Sequence, residues 1–345
     1  MIQAVAALVI WGLVLCLLPG ARSRKDHSIL VAAVTIATAL SLNVDPVYVA
    51  GDSVIGGRNF LDLCSNILMV VGIYFLSQAI LRAAEFYDAP GHTDGRGLLI
   101  LGAVCLGLII TFLFINAPRT STRFMLDFGD QPAAALYSAI QFVYIGAVVS
   151  VTGYVCFRFR RRMATLYFRV AFALIGIGCA LALLVVFAVL GMDVAHLLGE
   201  LTTMEMLAGV YDASFIGAML FLCAGLALPP VARRILRRAH LHTEARLLED
   251  LALVWDRVTA GRQEGRLTPP AKAIEAGDNA TRRLHRMLVE IQDSLLMDPT
   301  AATLLTEADI QTLSRTESYL ASLHGTQDGR MVPTRWGRRP GLSGR

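Results

Sequence analysis

The sequence predicts an all-α polytopic membrane protein, seven transmembrane helices followed by a small cytosolic helical domain. Three observations carry this. The chain of 345 residues is 55% hydrophobic and 17% charged, with a mean hydropathy of +0.57; a soluble domain carries about 25% charge. Apolar stretches recur from residue 2 to about residue 230 and then stop. The cations between them alternate from one loop to the next. This composition excludes disorder, collagen and a disulfide-rich secreted scaffold.

A crossing helix needs about 20 apolar residues to cover ~30 Å of hydrocarbon at 1.5 Å each. In lipid every backbone amide must be satisfied within the segment, so continuous apolar runs read as helices, not strands. Seven runs qualify: residues 2–18, 28–44, 60–81, 97–117, 133–157, 167–190 and 209–228. The first has no basic residue before it and no A-x-A cleavage pattern; Arg22, Arg24 and Lys25 follow it. It reads as a retained helix with its N-terminus outside. The second, as short as the first, is ended by Asp45 and Pro46. The runs are continuously apolar, which argues against a barrel. Pro229 and Pro230 mark the end of the seventh.

Alternation sorts the loops into two sides. One holds ten cations: Arg22, Arg24, Lys25, Arg82, Arg96, Arg158, Arg160, Arg161, Arg162 and Arg169. The other holds three, Arg58, Arg119 and Arg123. The positive-inside rule places the first set in the cytoplasm of a plasma-membrane protein, with the C-terminus inside. Nine acids lie on or near the outer face: Asp45, Asp52, Asp62, Asp127, Asp130, Asp193, Glu200, Glu205 and Asp212. They read as a solvated rim or as a surface that attracts cations. All six cysteines fall in apolar runs, without CxxC or zinc spacing, and read as packing residues.

An ionisable side chain at the bilayer midplane is a functional hypothesis by default. The central thirds of the seven runs hold none, which weighs against an ion-coupled transporter. A softer constellation lies in the outer half. Asn59, Asp62 and Asn66 share one helical face at i, i+3 and i+7. Tyr137, Gln141 and Tyr144 share another, and Tyr211, Asp212 and Ser214 open the seventh helix. Together they form a candidate shallow, outward-facing pocket for a small polar or cationic ligand. The competing reading makes them interfacial anchors, with Gln141 an interhelical donor. His196 and Glu200, four apart, read as an exposed loop pair before a metal site. Small residues at helical spacing (Gly146, Ser150 and Gly153; Gly102; Gly107; Gly176 and Gly178) allow close packing, within the bundle or between protomers.

From Ala232 the composition changes. The last 114 residues hold 18 Arg/Lys and 14 Asp/Glu, so this tail accounts for the whole net charge of +4. Residues 232–324 read as a cytosolic helical domain. Thr243 is a candidate N-cap for an amphipathic helix bearing Leu247, Leu248, Leu251, Val254, Trp255 and Val258. A Gly/Pro loop follows, residues 261–270. A second helix, from about Asn279 to Met297, carries the stripe Leu284, Leu288, Ile291 and Leu295. Thr306-x-x-Asp309 resembles a capping box and opens a third helix to about Leu323. Residues 325–345 read as a disordered basic tail. A bundle this small is marginal alone. The tail is therefore expected to bind a cytosolic regulatory protein or a second copy through Leu251, Trp255, Leu284, Leu288, Ile291 and Leu295. The basic clusters suit anionic lipid headgroups better than nucleic acid. The tail has no phosphate-binding loop, kinase glycine loop or nucleophile elbow, so no catalysis and no cofactor are expected.

The segments Leu248-Glu-Asp-Leu-Ala-Leu-Val-Trp-Asp-Arg-Val-Thr and Arg283-Leu-His-Arg-Met-Leu-Val-Glu-Ile-Gln-Asp-Ser-Leu-Leu resemble an actinobacterial membrane-protein family. Its members have about seven N-terminal helices and a cytosolic domain of unknown function, and are often labelled transporters. The resemblance covers the chain to about Leu323. Its motifs are helical surfaces, so it implies architecture. Two functions stay open: a membrane sensor or signalling scaffold whose tail reports to a partner, and a transporter or facilitator for a small solute, as the family label implies.

Overall fold

The computed structural model describes residues 2–19, 27–85, 95–163, 165–259 and 280–328. These are helical, with no strand among them. In chain order the helices are α1 (Ile2–Leu17), α2 (Ser28–Leu42), α3 (Asp45–Val54), α4 (Phe60–Glu85), α5 (Gly95–Leu113), α6 (Phe124–Phe128), α7 (Pro132–Phe159), α8 (Leu166–Leu197), α9 (Leu201–Thr259), α10 (Ala280–Met297) and α11 (Glu307–Asp328). The chain divides into two compact units, Met1–Arg233 and Arg234–Arg345, with the boundary inside α9.

Unit 1 is a multi-pass membrane bundle. Five of the described helices are long and apolar enough to cross a bilayer, or six if α2 and α3 are one bent span. The first run forms a shorter apolar helix, α1. Seven crossings are thus more than length and composition establish. The second run departs furthest from the sequence reading. Asp45 and Pro46 stop α2, but they also start α3, because an acid in the first turn and a proline at its head suit a helix N-terminus. The chain turns by 85° between the two.

α4 is shared by three apolar clusters. One side of it, through Met69, Ile73 and Leu76, meets α1 and α2 around Ile10, Leu13 and Ala37. The same residues meet α7 and α8 around Ile145, Cys179 and Val186. A third cluster joins α4 to α5, α6 and α7 around Val70, Leu108, Phe112 and Tyr137. Outward faces stay apolar too, as at Leu98, Leu99, Leu106, Phe187 and Leu220. In water that would be a liability; in lipid it is the expected exterior.

Glycines set the closest approaches, and most of those flagged by spacing pack within the bundle. A Cβ on Gly146 would lie 3.2 Å from Val186, on Gly153 3.1 Å from Cys179, and on Gly176 3.1 Å from Phe157. One on Gly178 would meet Leu222 at 2.7 Å, whereas Gly102 faces no described atom within 4 Å. The tightest contact with α2 is Gly72 of α4, where a Cβ would lie 2.5 Å from Ile36 Cγ1 and 2.8 Å from Thr35 Oγ1. Gly72→Val is therefore expected to cost about 1–3 kcal/mol by overpacking, read as a lowered melting temperature of the purified protein in detergent.

Unit 2 is a three-helix bundle of the C-terminal part of α9 with α10 and α11. Its core is Leu247, Leu251, Val254, Trp255, Val258, Leu284, Met287, Leu288, Ile291, Leu313 and Leu320. Three boundaries of the sequence reading move. α9 runs through both Pro229 and Pro230, because proline removes an amide donor without forbidding helical φ. Thr243 is not an N-cap; its hydroxyl donates back to the Ala239 carbonyl at 3.0 Å within α9. α11 continues to Asp328, past Gly325. The loop at 261–270 and residues 329–345 lie outside the described residues.

The capping box is formed. The Thr306 N–H donates to Asp309 Oδ2 at 2.9 Å, and the Asp309 N–H donates back to Thr306 Oγ1 at 3.3 Å. Arg257 of α9 grips the same carboxylate with two bonds, at 2.7 and 3.0 Å. Burial pushes the Asp309 carboxyl up, but the Thr306 hydroxyl and N–H and the Arg257 guanidinium outweigh it and hold it below its ordinary 3.8. A folded pKa below the unfolded one stabilises the native state above 3.8. That stabilisation disappears as pH falls through the folded-state value. Asp309→Asn should flatten the acid limb of unit 2 stability below about pH 4, seen in urea midpoints measured across that range.

Candidate functional site

The α4 face predicted from spacing exists, and its residues separate into two networks. The first joins α4 to α7. Tyr137 donates its hydroxyl proton to Asp62 Oδ2 at 3.0 Å, and Asn66 Nδ2 donates to the same oxygen at 2.9 Å. Asn66 Nδ2 also lies 2.9 Å from the Tyr137 oxygen. Gln141 Nε2 donates to Asn66 Oδ1 at 3.1 Å. Thus Asp62, Asn66, Tyr137 and Gln141 form one chain of hydrogen bonds across two helices. Tyr137 is buried between the rings of Phe112 and Phe124, with centroids at 5.9 and 6.3 Å.

Asn59 belongs to the second network, which fastens α3 to the chain after α5. Asn59 has the left-handed φ of 61°, a region that asparagine tolerates better than most residues. Its N–H donates to Asp52 Oδ2 at 2.9 Å, and the Leu61 N–H donates to Asp52 Oδ1 at 3.3 Å. Thr120 Oγ1 donates to Asp52 Oδ2 at 2.6 Å. The Asn59 side chain accepts from Tyr48 and from the Ser121 N–H, and donates to the Arg119 carbonyl at 2.8 Å. Asp52 and Asn59 are fully buried. Each oxygen and N–H in this knot is matched within the protein, so its role is structural.

The open volume lies beside the first network. A cavity of about 190 Å³ opens between α1, α2, α4, α7, α8 and α9. Its walls are mainly aliphatic, with Gln3, Asn43, Asn66, Gln141 and Tyr211 also lining it. Ser77 and Thr152 add a second polar spot, bonded to each other at 2.9 Å. Of the nine residues read as an outer pocket, Asn66, Gln141 and Tyr211 line this cavity. Asn59, Asp62 and Tyr137 are occupied in the networks. Tyr144 is buried in the aromatic cluster, its hydroxyl without a hydrogen bond among the described residues, and Asp212 is exposed on α9. These side chains do not gather into one shallow polar pocket: the two acids are bonded or exposed, and the concavity that Asn66, Gln141 and Tyr211 share is mostly apolar.

Sequence reasoning missed Asn43, Ser77 and Thr152. Asn43 sits at the break between α2 and α3, where its side chain reads as a plain turn residue. Ser77 and Thr152 are lone hydroxyls 75 residues apart, with no shared pattern to join them. His196 and Glu200 sit at the end of α8 and just after it, and no group of three metal-ligating side chains occurs among the described residues.

In unit 2 the six residues read as a partner surface point inward. Leu251, Trp255, Leu284, Leu288 and Ile291 are core, and Leu295 packs against it. Amphipathic stripes cover each other first when three lie in one chain, so they are not free to hold a partner. Polar contacts clamp the same core. Trp255 Nε1 donates to Glu290 at 2.7 Å, and Thr281 and Tyr319 both donate to the buried Glu244. Burial and the Glu244 carboxylate push the Tyr319 hydroxyl up to about 12.

No family model, curated protein or solved structure matches the chain.

Proposed function

We propose that this protein is a non-enzymatic sensor or signalling scaffold of the plasma membrane. In this reading the chain crosses seven times, with α1 and the bent α2–α3 pair each counted as a span. The N-terminus is outside, and unit 2 lies in the cytoplasm on the basic side. α1 supports the count by its apolar exterior, with Val5, Leu8 and Leu15 exposed. Its 16 residues span roughly 24 Å at 1.5 Å each, short of the bilayer core by an amount that local thinning absorbs. Kinship with the actinobacterial seven-helix family belongs to the same proposal.

One observation carries the functional part: the mainly aliphatic cavity lined also by the amides of Asn43, Asn66 and Gln141. An apolar cavity of about 150 Å³ takes a benzene-sized guest. The space here suits one neutral ring bearing a hydroxyl or carbonyl. Such a guest would touch α4, α7 and α9 together. Because α9 continues into unit 2, a change in its packing is the simplest route to a cytosolic regulatory protein bound on the outside of that bundle.

The test uses the full chain in lipid nanodiscs with a panel of phenols and cyclohexanols. A guest should raise the melting temperature, and Gln141→Leu should weaken a hydroxylated guest about fivefold to tenfold relative to its hydrocarbon analogue. Ala218→Leu, which fills a buried wall position, should abolish the response. Equal responses in all three proteins would contradict the reading.

A second reading, a transporter or facilitator, is favoured by one observation, the 85° break at Asn43 beside the cavity. Broken helices next to a central site are a transporter device. A transporter keeps guest flux in proteoliposomes when the chain is truncated after Pro230; a sensor shows no flux with the chain intact.

A further inference from the structure

A second concavity, of about 690 Å³, lies at the basic end of unit 1, where α1, α2, α4, α8 and α9 converge. Its walls are apolar, including Leu17, Phe172 and Ile175, and two arginines line it, Arg82 of α4 and Arg233 of α9. Arg82 also donates to Ser28 at 3.2 Å, and Arg233 lies 5.1 Å over the Phe168 ring. The α9 backbone lacks two donors here. Leu226 lines the fissure, and the residues three and four further on are Pro229 and Pro230, which have no N–H to give its carbonyl.

We infer that this fissure is a binding site for an anionic phospholipid with a hydroxylated headgroup, of the phosphatidylglycerol kind. The acyl chain lies along the aliphatic wall, the two guanidinium groups face the phosphodiester, and a headgroup hydroxyl donates to the Leu226 carbonyl. Charge complementarity selects the headgroup, and the apolar wall selects a lipid over a free phosphate, which would leave that wall without a partner. Basic pockets between helix ends are a general mode of recognising anionic lipids. The inference rests on the bundle lying in a bilayer and is independent of the ligand cavity.

Native mass spectrometry of the full chain, titrated with phosphatidylglycerol or phosphatidylcholine of matched acyl chains, tests it. One tight phosphatidylglycerol is expected, preferred over phosphatidylcholine by about tenfold. Arg82→Gln with Arg233→Gln should erase the preference while leaving residual binding of both lipids. If the pair of changes lowers yield, Arg233→Gln alone, at an exposed position, should still reduce the preference. Ala83→Trp, which narrows the fissure, should reduce binding of both lipids. Equal binding of the two lipids, a preference untouched by the arginine changes, or displacement by glycerol phosphate at the lipid's own concentration would overturn the assignment.

Discussion

Asp52→Ala is expected to destabilise unit 1 by about 3 kcal/mol or more. The carboxylate accepts from two backbone amides and the Thr120 hydroxyl, and it is fully buried. Removing it strands three donors, each costing about 1–3 kcal/mol when water cannot replace the acceptor. Asn59 adds to the loss, because its left-handed backbone is held by the bonds that Asp52 and the 119–121 segment make to it. Asp52→Asn should fall between wild type and alanine: one amide oxygen serves Asn59 and Thr120, but the NH2 then faces the Leu61 N–H. Melting temperature in detergent and protease cleavage around residues 116–131 measure the series. Equal melting of all three proteins would show that water replaces the carboxylate and that the knot contributes nothing.

Trp255→Ala is expected to cost unit 2 about 3–5 kcal/mol, the usual range for truncating a buried aromatic residue. For a bundle this small that approaches the whole stability. The Trp255 ring is 3% exposed, and its N–H reaches Glu290, which Arg286 also holds at 3.0 Å. Trp255→Phe separates the two contributions: it keeps most of the apolar contact and loses the charged hydrogen bond, about 1.5–3 kcal/mol. Amide exchange of α10 and α11 in the full-length protein reports it. Alanine should bring exchange near the unfolded rate, and phenylalanine should only accelerate it. Unchanged protection in the alanine variant would mean that the core does not hold the bundle together.

These two sites differ in how visible they were. The runs around α4, α7 and α8 announce themselves, since some twenty continuous apolar residues leave little alternative to a helix. The turn spacing of Leu251 and Trp255, and of Leu284, Leu288 and Ile291, likewise showed amphipathic faces. Periodicity says that a face is apolar, not what covers it, and so the stripes read as a partner surface when they close on each other. The Asp52 knot was hidden for another reason. Asp45 and Pro46 stop one helix and start the next with the same two residues, and the contacts of Asp52 with Thr120 span 68 residues. The α4 face was legible from i, i+3 and i+7. That Asp62 is held by Tyr137 and Asn66, so that Asn66 and Gln141 line open space and Asp62 and Tyr137 do not, depends on side-chain geometry that no spacing encodes. The prolines of α9 illustrate the converse: strong punctuation in a soluble sequence, and a tolerated feature within a packed helix.

The proposed sensor requires an odd number of crossings, with unit 2 in the cytoplasm. Labelling with a membrane-impermeant maleimide tests it most directly. In a background with the six native cysteines replaced, single cysteines are placed at Gln3, Arg119 and Gln311, all exposed. In intact cells, positions 3 and 119 should label, and position 311 should label only after permeabilisation. Labelling of positions 3 and 311 from the same side would make the count even and contradict the proposed topology.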